Sequence, residues 1–265
     1  MKVRDGIESK PEDFLIFDCR FSYCNIRGFQ RSWYLASVPR PIVVVLILVL
    51  LLGAVPASAQ QGPNIGLVLR DSLGLLGVEH GVRLAFQPKT RRELTGPFWE
   101  DYRRSVRIPE TWEDGDGWMV NYIGHPIHGA AAGMLWTLHD PVARDVEFGL
   151  DPHYWATRWR PLTWSAIYSV QFEVGPLSEA AIGNVGLRPN TIGWVDYVVT
   201  PVGGMGIAVA EDALDKFFIH WFERRVRNSA FRAVMRGAFN PSRTMANVAA
   251  GHLPWYRPNR PLKWR

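Results

Sequence analysis

Cysteine is almost missing from this chain, and the two present, Cys19 and Cys24, lie ahead of everything else of interest. A mature chain starting near Gln60 has no thiol, so no disulfide framework holds it together. The conspicuous apolar run, Ile42 through Gly53, is too short to favour a full membrane span. Alternating ten-residue segments are absent, which argues against a closed β-barrel. Ser165, Ser169 and Ser178 lack a G-x-S-x-G elbow, and Gly203-Gly204-x-Gly206 lacks the strand and spacing of a phosphate-binding fingerprint. That glycine run suits close helix packing or a kink instead. No internal repeat is evident, and no Asp or Glu follows Glu223.

What is present begins with a targeting pattern. Arg40-Pro41, the apolar run and Ala57-Ser58-Ala59 before Gln60 read as the charged region, apolar region and A-x-A cleavage site of a signal peptide over 38–59. The alternative is a retained anchor. Residues 1–37 read as an over-extended or disordered start. The expected location is the periplasm or the outer membrane of a Gram-negative-type bacterium. Charge then divides the remainder. From 60 to 223 there are 13 Lys and Arg against 20 Asp and Glu, whereas 224–265 holds 10 basic residues and none acidic. Phe231, Val234, Met235 and Ala238 recur at helical spacing beside Arg232 and Arg236, which predicts a basic amphipathic helix ended by Pro241, followed by an irregular arm. An exported protein does not meet nucleic acid, so the expected partner of this arm is the membrane lipid surface. The alternative is docking onto the chain's own acidic body, 60–223.

The body reads as helical. An amphipathic stretch runs from Asn64 to Phe86, and a short helix is expected from Thr95 to Val106. Glu113-Asp114-Gly115-Asp116-Gly117 alternates carboxylates and glycines as calcium loops do, but lacks the EF-hand ligand spacing and reads as an acidic turn. Pro126 places a helix start near His125, with the helix running toward His139. Gly129 and Gly133 share the face of His125 and His128, allowing another helix to approach closely. Val146 to Leu150 has extended character. The Trp/Arg segment 153–160 suits a membrane interface or a cation–π surface. A further apolar helix covers Leu162–Val174, a short one opens at Ser178-Glu179, and Trp194 to Phe222 forms one kinked helix or two abutting ones. His80, His139, His153 and His252 sit in polar or loop contexts and receive no role; His220 is expected to be packed or interfacial.

Three apolar segments each carry very few ionisable groups: His125 and His128, then Glu173, then Asp196. An unpaired buried charge is expensive, so convergence is the economical arrangement. Two imidazoles and two carboxylates suffice to bind a divalent metal such as zinc, or to act in acid/base catalysis without one. The alternative is a hydrogen-bonded plug that fixes helix register.

The order Asn121-x-x-x-His125-Pro126-x-x-Gly129, then Phe172-Glu173, then Asp196 with Thr200-Pro201, Gly204 and Glu211 resembles an uncharacterised family of exported bacterial envelope proteins. The resemblance covers about residues 115 to 215, with Phe172 in the place of a Trp. It implies export and a real cluster, and carries no established activity.

The expected architecture is all-α, a bundle of five to eight helices at or partly within a membrane. Two functions are expected. One is an envelope protein that binds or organises lipid or a partner around a structural polar cluster. The other is a metal- or acid/base-dependent hydrolase of an envelope lipid, with His125, His128, Glu173 and Asp196 as catalytic and metal-binding residues.

Overall fold

The computed structural model describes residues 62–263 apart from 107, 108, 110, 184–190 and 192. The expected signal segment, the residues before it and both cysteines lie outside the described residues. Among the described residues ten α-helices follow in order: α1 (Ile65–Phe86), α2 (Pro88–Glu93), α3 (Phe98–Ser105), α4 (His125–His139), α5 (Pro152–Val174), α6 (Glu179–Gly183), α7 (Trp194–Leu214), α8 (His220–Arg225), α9 (Ser229–Phe239) and α10 (Pro241–Ala249). Single π-helical turns lie at Val120–Gly124, leading into α4, and at Asp215–Ile219, joining α7 to α8. The all-α expectation therefore holds, with more and shorter helices than expected. No described helix is long and apolar enough to cross a membrane.

Local chemistry sets several of the helix starts. Asn64 Oδ1 accepts from Leu67 N–H at 3.2 Å, Asp151 Oδ1 from His153 and Tyr154, and Asn228 Oδ1 from Ala230 and Phe231. Each cap satisfies a first-turn donor that the helix itself cannot. Pro126 stands in the first turn of α4 as expected, and the π turn, in which His125 N–H reaches Val120 O, leads the chain from Trp118 into it. Pro161 and Pro201 sit inside α5 and α7 without ending them. Helix α9 stops at Phe239, just before Pro241, as expected; Pro241 then stands at the first turn of α10, where a missing donor costs little.

Helix α4 is the axis of the molecule, buried at Pro126, at His128 through Leu135 and at Thr137. Its Ala131, Ala132, Met134 and Leu135 join Leu75 and Leu76 of α1, Tyr168 and Phe172 of α5 and Ala246 of α10 in one apolar cluster. Small residues let α7 close on it. A β-carbon at Gly204 would lie 2.7 Å from Ala130 N, and one at Gly203 would lie 2.8 Å from Pro126 Cγ. Gly133 in turn faces Pro161 O of α5, at 3.3 Å from where its β-carbon would be. Gly206 meets open space and takes no part.

The extended segment at 146–150 forms no strand, and the Trp/Arg segment holds a cation–π contact, with the Arg158 guanidinium 4.5 Å from the Tyr154 ring centre. No strand exists among the described residues, because the carbonyls near 146–150 are taken by side chains: Arg158 donates to Val146 O at 3.2 Å and Lys216 to Phe148 O at 2.7 Å. The Trp/Arg segment 153–160 lies in α5, and its Arg158 is buried on Asp212 at 2.7 Å.

Part of the basic arm docks on the chain itself. Its arginines turn inward onto the acidic body: Arg236 to Glu223 at 2.5 Å, Arg243 to Asp212 at 2.7 Å, Arg257 to Asp215 at 3.3 Å, and Arg260 to Glu223 at 2.8 Å and to Asp215. The docking of charge onto the chain itself, the alternative reading, accounts for these residues. Helix α10 packs on α4 and α1, so the C-terminal segment is built into the bundle.

Candidate functional site

The ends of three helices meet above the α4–α7 crossing. His125 stands in the first turn of α4, Asp196 in the first turn of α7, and Glu173 in the last turn of α5. One ligand atom from each lies within 4.8 Å of the other two, and no other described group of His, Cys, Asp and Glu does this. His125 Nε2 is 3.4 Å from Asp196 Oδ1. Small residues below make this meeting feasible, since Gly129 admits Thr200 O and Gly204 admits Ala130 N.

A fourth carboxylate arrives by a different route. Trp194 and Val195 N–H donate to Thr111 O and Trp112 O, both at 3.0 Å, which pins the chain before Asp114 to the start of α7. Only glycine fits at 193, because a β-carbon there would lie 2.7 Å from Asp114 N. Asp114 is thereby held buried. It accepts from Asn121 Nδ2 at 2.7 Å and from Asp116 N–H at 2.9 Å, and its charge bears on Asp196. The acidic turn of the sequence reading is thus a support of the site.

Electrostatically, the site favours neutral groups. Burial pushes His125 down to about 4, with the neighbouring His128 adding to the effect. Burial and the adjacent Asp114 push Asp196 up to about 8. Glu173 is raised well above the usual carboxylate range by burial, and then by Glu179 and Asp196. Clustered carboxyls resist ionising together, and Arg83, paired with Glu179, offsets this only in part.

The remaining candidate, His128, belongs elsewhere. Its Nδ1 lies 2.9 Å from Glu79 Oε1 of α1, and its ring packs edge-on against Phe172 with centroids 4.5 Å apart. Glu79 also accepts from Tyr168 OH at 2.9 Å. Glu79 carried no distinguishing signal, since α1 mixes several charges. Two histidines given no role are partnered: half-buried His139 with Asp71 at 2.6 Å, and buried His80 stacked on Phe172 with Nε2 2.7 Å from Leu177 O. Glu211 lies away from the cluster, where its carboxylate accepts from Ser242 and Arg243 N–H at the start of α10.

The donor set suits a divalent ion. Asp196 is 4 % exposed, yet its Oδ1 has no hydrogen-bond partner. Leaving a buried carboxylate oxygen unmatched is costly, and a cation would satisfy it. One imidazole and two carboxylates supply three protein ligands, the number open zinc sites use, with more oxygen donors than their usual sets. No protein-family model, curated protein or solved structure matches the chain.

Proposed function

We propose that the protein is an exported metal-dependent hydrolase in which His125, Glu173 and Asp196 hold a divalent ion of the zinc class. The supporting observation is the convergence of these three side chains from three helix ends, with Asp196 Oδ1 buried and unmatched. An ion bound there supplies Lewis acidity and an acidified water at neutral pH. Asp114 is a positioning residue: anchored by Asn121, it orients the Asp196 carboxylate, as second-layer partners do in metal sites. Export rests on the pattern at 38–59. The substrate class this supports is an ester, amide or phosphoester of the cell envelope.

A second reading has its own observation. The approach of His125 to Asp196 at 3.4 Å, with His125 held low and Asp196 high, is what a metal-free polar lock needs, in an envelope protein that binds or organises lipid or a partner. Elemental analysis of the full chain purified without chelator separates the two. A stoichiometric divalent ion, lost in Asp196→Asn and in His125→Ala, supports the first. Absence of metal, with no zinc-dependent rise in melting temperature, leaves the lock.

A further inference from the structure

Eight of the ten basic residues of 224–265 divide into two groups. Arg236, Arg243, Arg257 and Arg260 are consumed by Glu223, Asp212 and Asp215, and Arg232 donates to Val226 O and Glu223 O. Arg224, Arg225 and Arg227 stay exposed and form no ion pair among the described residues. Helix α9 is correspondingly inside out. Its Arg236 is 2 % exposed, while Phe231 and Val234 on the opposite face are 61 % and 64 % exposed. The stripe that marks this helix in the sequence therefore points to solvent, and the inward face is held by a buried ion pair.

The same corner collects further aromatic surface. Trp221 of α8 is exposed, with the Arg225 guanidinium 4.2 Å above its ring. Phe218 stacks beside Trp221 with centroids 6.1 Å apart and meets Phe239 of α9 at 4.9 Å, which joins the two helices into one face. Phe217 on the same turn is exposed as well.

We propose that this α8–α9 corner is a docking surface for anionic lipid headgroups. Phe231, Val234 and Trp221 enter the interfacial layer, and Arg224, Arg225 and Arg227 meet the headgroup charge. Exposed aromatic and aliphatic side chains flanked by unpaired guanidinium groups are the arrangement that interfacial helices use. The charge also selects among occupants. A second copy docking through the same face would set these three arginines against their own images, with no acidic residue in 224–265 to relieve them. The surface is independent of the metal reading and uses none of its residues.

The test uses the full chain with vesicles of phosphatidylcholine alone or with phosphatidylglycerol added, read by amide hydrogen exchange in 220–236 and by flotation. Anionic vesicles are expected to protect 220–236, and neutral ones not; the protection weakens as salt rises from about 0.05 M to about 0.5 M. Replacing Arg224, Arg225 and Arg227 together by Gln lowers vesicle affinity on the order of a hundredfold. Phe231→Ser with Val234→Ser lowers it at least about tenfold, without changing the melting temperature, since both side chains are already exposed. The apolar run at 42–53 adds a background common to every variant, and exchange in 220–236 reads the corner separately. Unchanged exchange in 220–236 with anionic vesicles overturns the proposal, as does a dimer in solution dissociated by the same serine substitutions.

Discussion

Gly129 of α4 meets Thr200 of α7 so closely that a β-carbon on the glycine would overlap the threonine carbonyl oxygen. The obstacle is backbone, which cannot swing aside as a side-chain tip can. Gly129→Ala is therefore expected to destabilise the protein by about 1–3 kcal/mol, the usual range for overpacking. Gly206→Ala, in the same helix as Thr200 but facing open space, should stabilise by about 0.5–1 kcal/mol through the unfolded chain's lost freedom. Urea denaturation of the two variants checks both signs.

Asp212 joins three elements at once. It accepts from Tyr154 OH at 3.0 Å and pairs with Arg158 and Arg243, each at 2.7 Å. Removing it leaves the buried Arg158 guanidinium without its counter-charge. Asp212→Ala should cost about 3–5 kcal/mol. A loss below about 1 kcal/mol would show that the pair is hydrated in solution.

The legible and illegible parts of the site differ for a physical reason. His125, Glu173 and Asp196 stand out in the sequence because each is nearly alone on an apolar helix. Asp114 does not, because a carboxylate among glycines and other acids looks like a solvated turn. Its burial depends on Gly193 letting the chain pass, a contact made across 79 positions of sequence. Periodicity had a similar limit in α9: it identifies two faces without saying which is inward, and that choice rests on Glu223 lying beneath Arg236. Pro161 and Pro201 misled for a third reason, since a closely packed helix can carry inside it what sequence rules treat as a stop.

Acid should reveal the tail's attachment. Burial pushes Asp215 up, but Arg257, Arg243 and Arg260 outweigh it and hold its carboxyl below the usual range. A depressed folded value means the contribution is complete above the unfolded value, about 3.9, and is lost as pH falls through the folded one. Stability measured from about pH 5 downward should fall less steeply in Asp215→Asn than in the wild type. Equal slopes would place the acid sensitivity elsewhere.

The two neighbouring histidines should separate cleanly. His125→Ala removes a ligand atom from the cluster and should abolish metal uptake. His128→Ala empties the space against Phe172 and Tyr168, so it should lower the melting temperature while leaving metal content intact. Loss of metal in both variants would mean that His128 swings into the site when an ion is present.

The unbroken helical course from Asp196 through the 215–219 turn to Trp221 covers about 37 Å at about 1.5 Å per residue. One end carries the candidate ion site, and the other carries the face assigned to the bilayer. A molecule moored by its Trp221 end can hold the His125 end well clear of the lipid, within reach of groups dissolved in the aqueous layer or displayed by a facing wall. Hydrolysis at such a stand-off would favour those groups over an acyl chain still embedded in the leaflet.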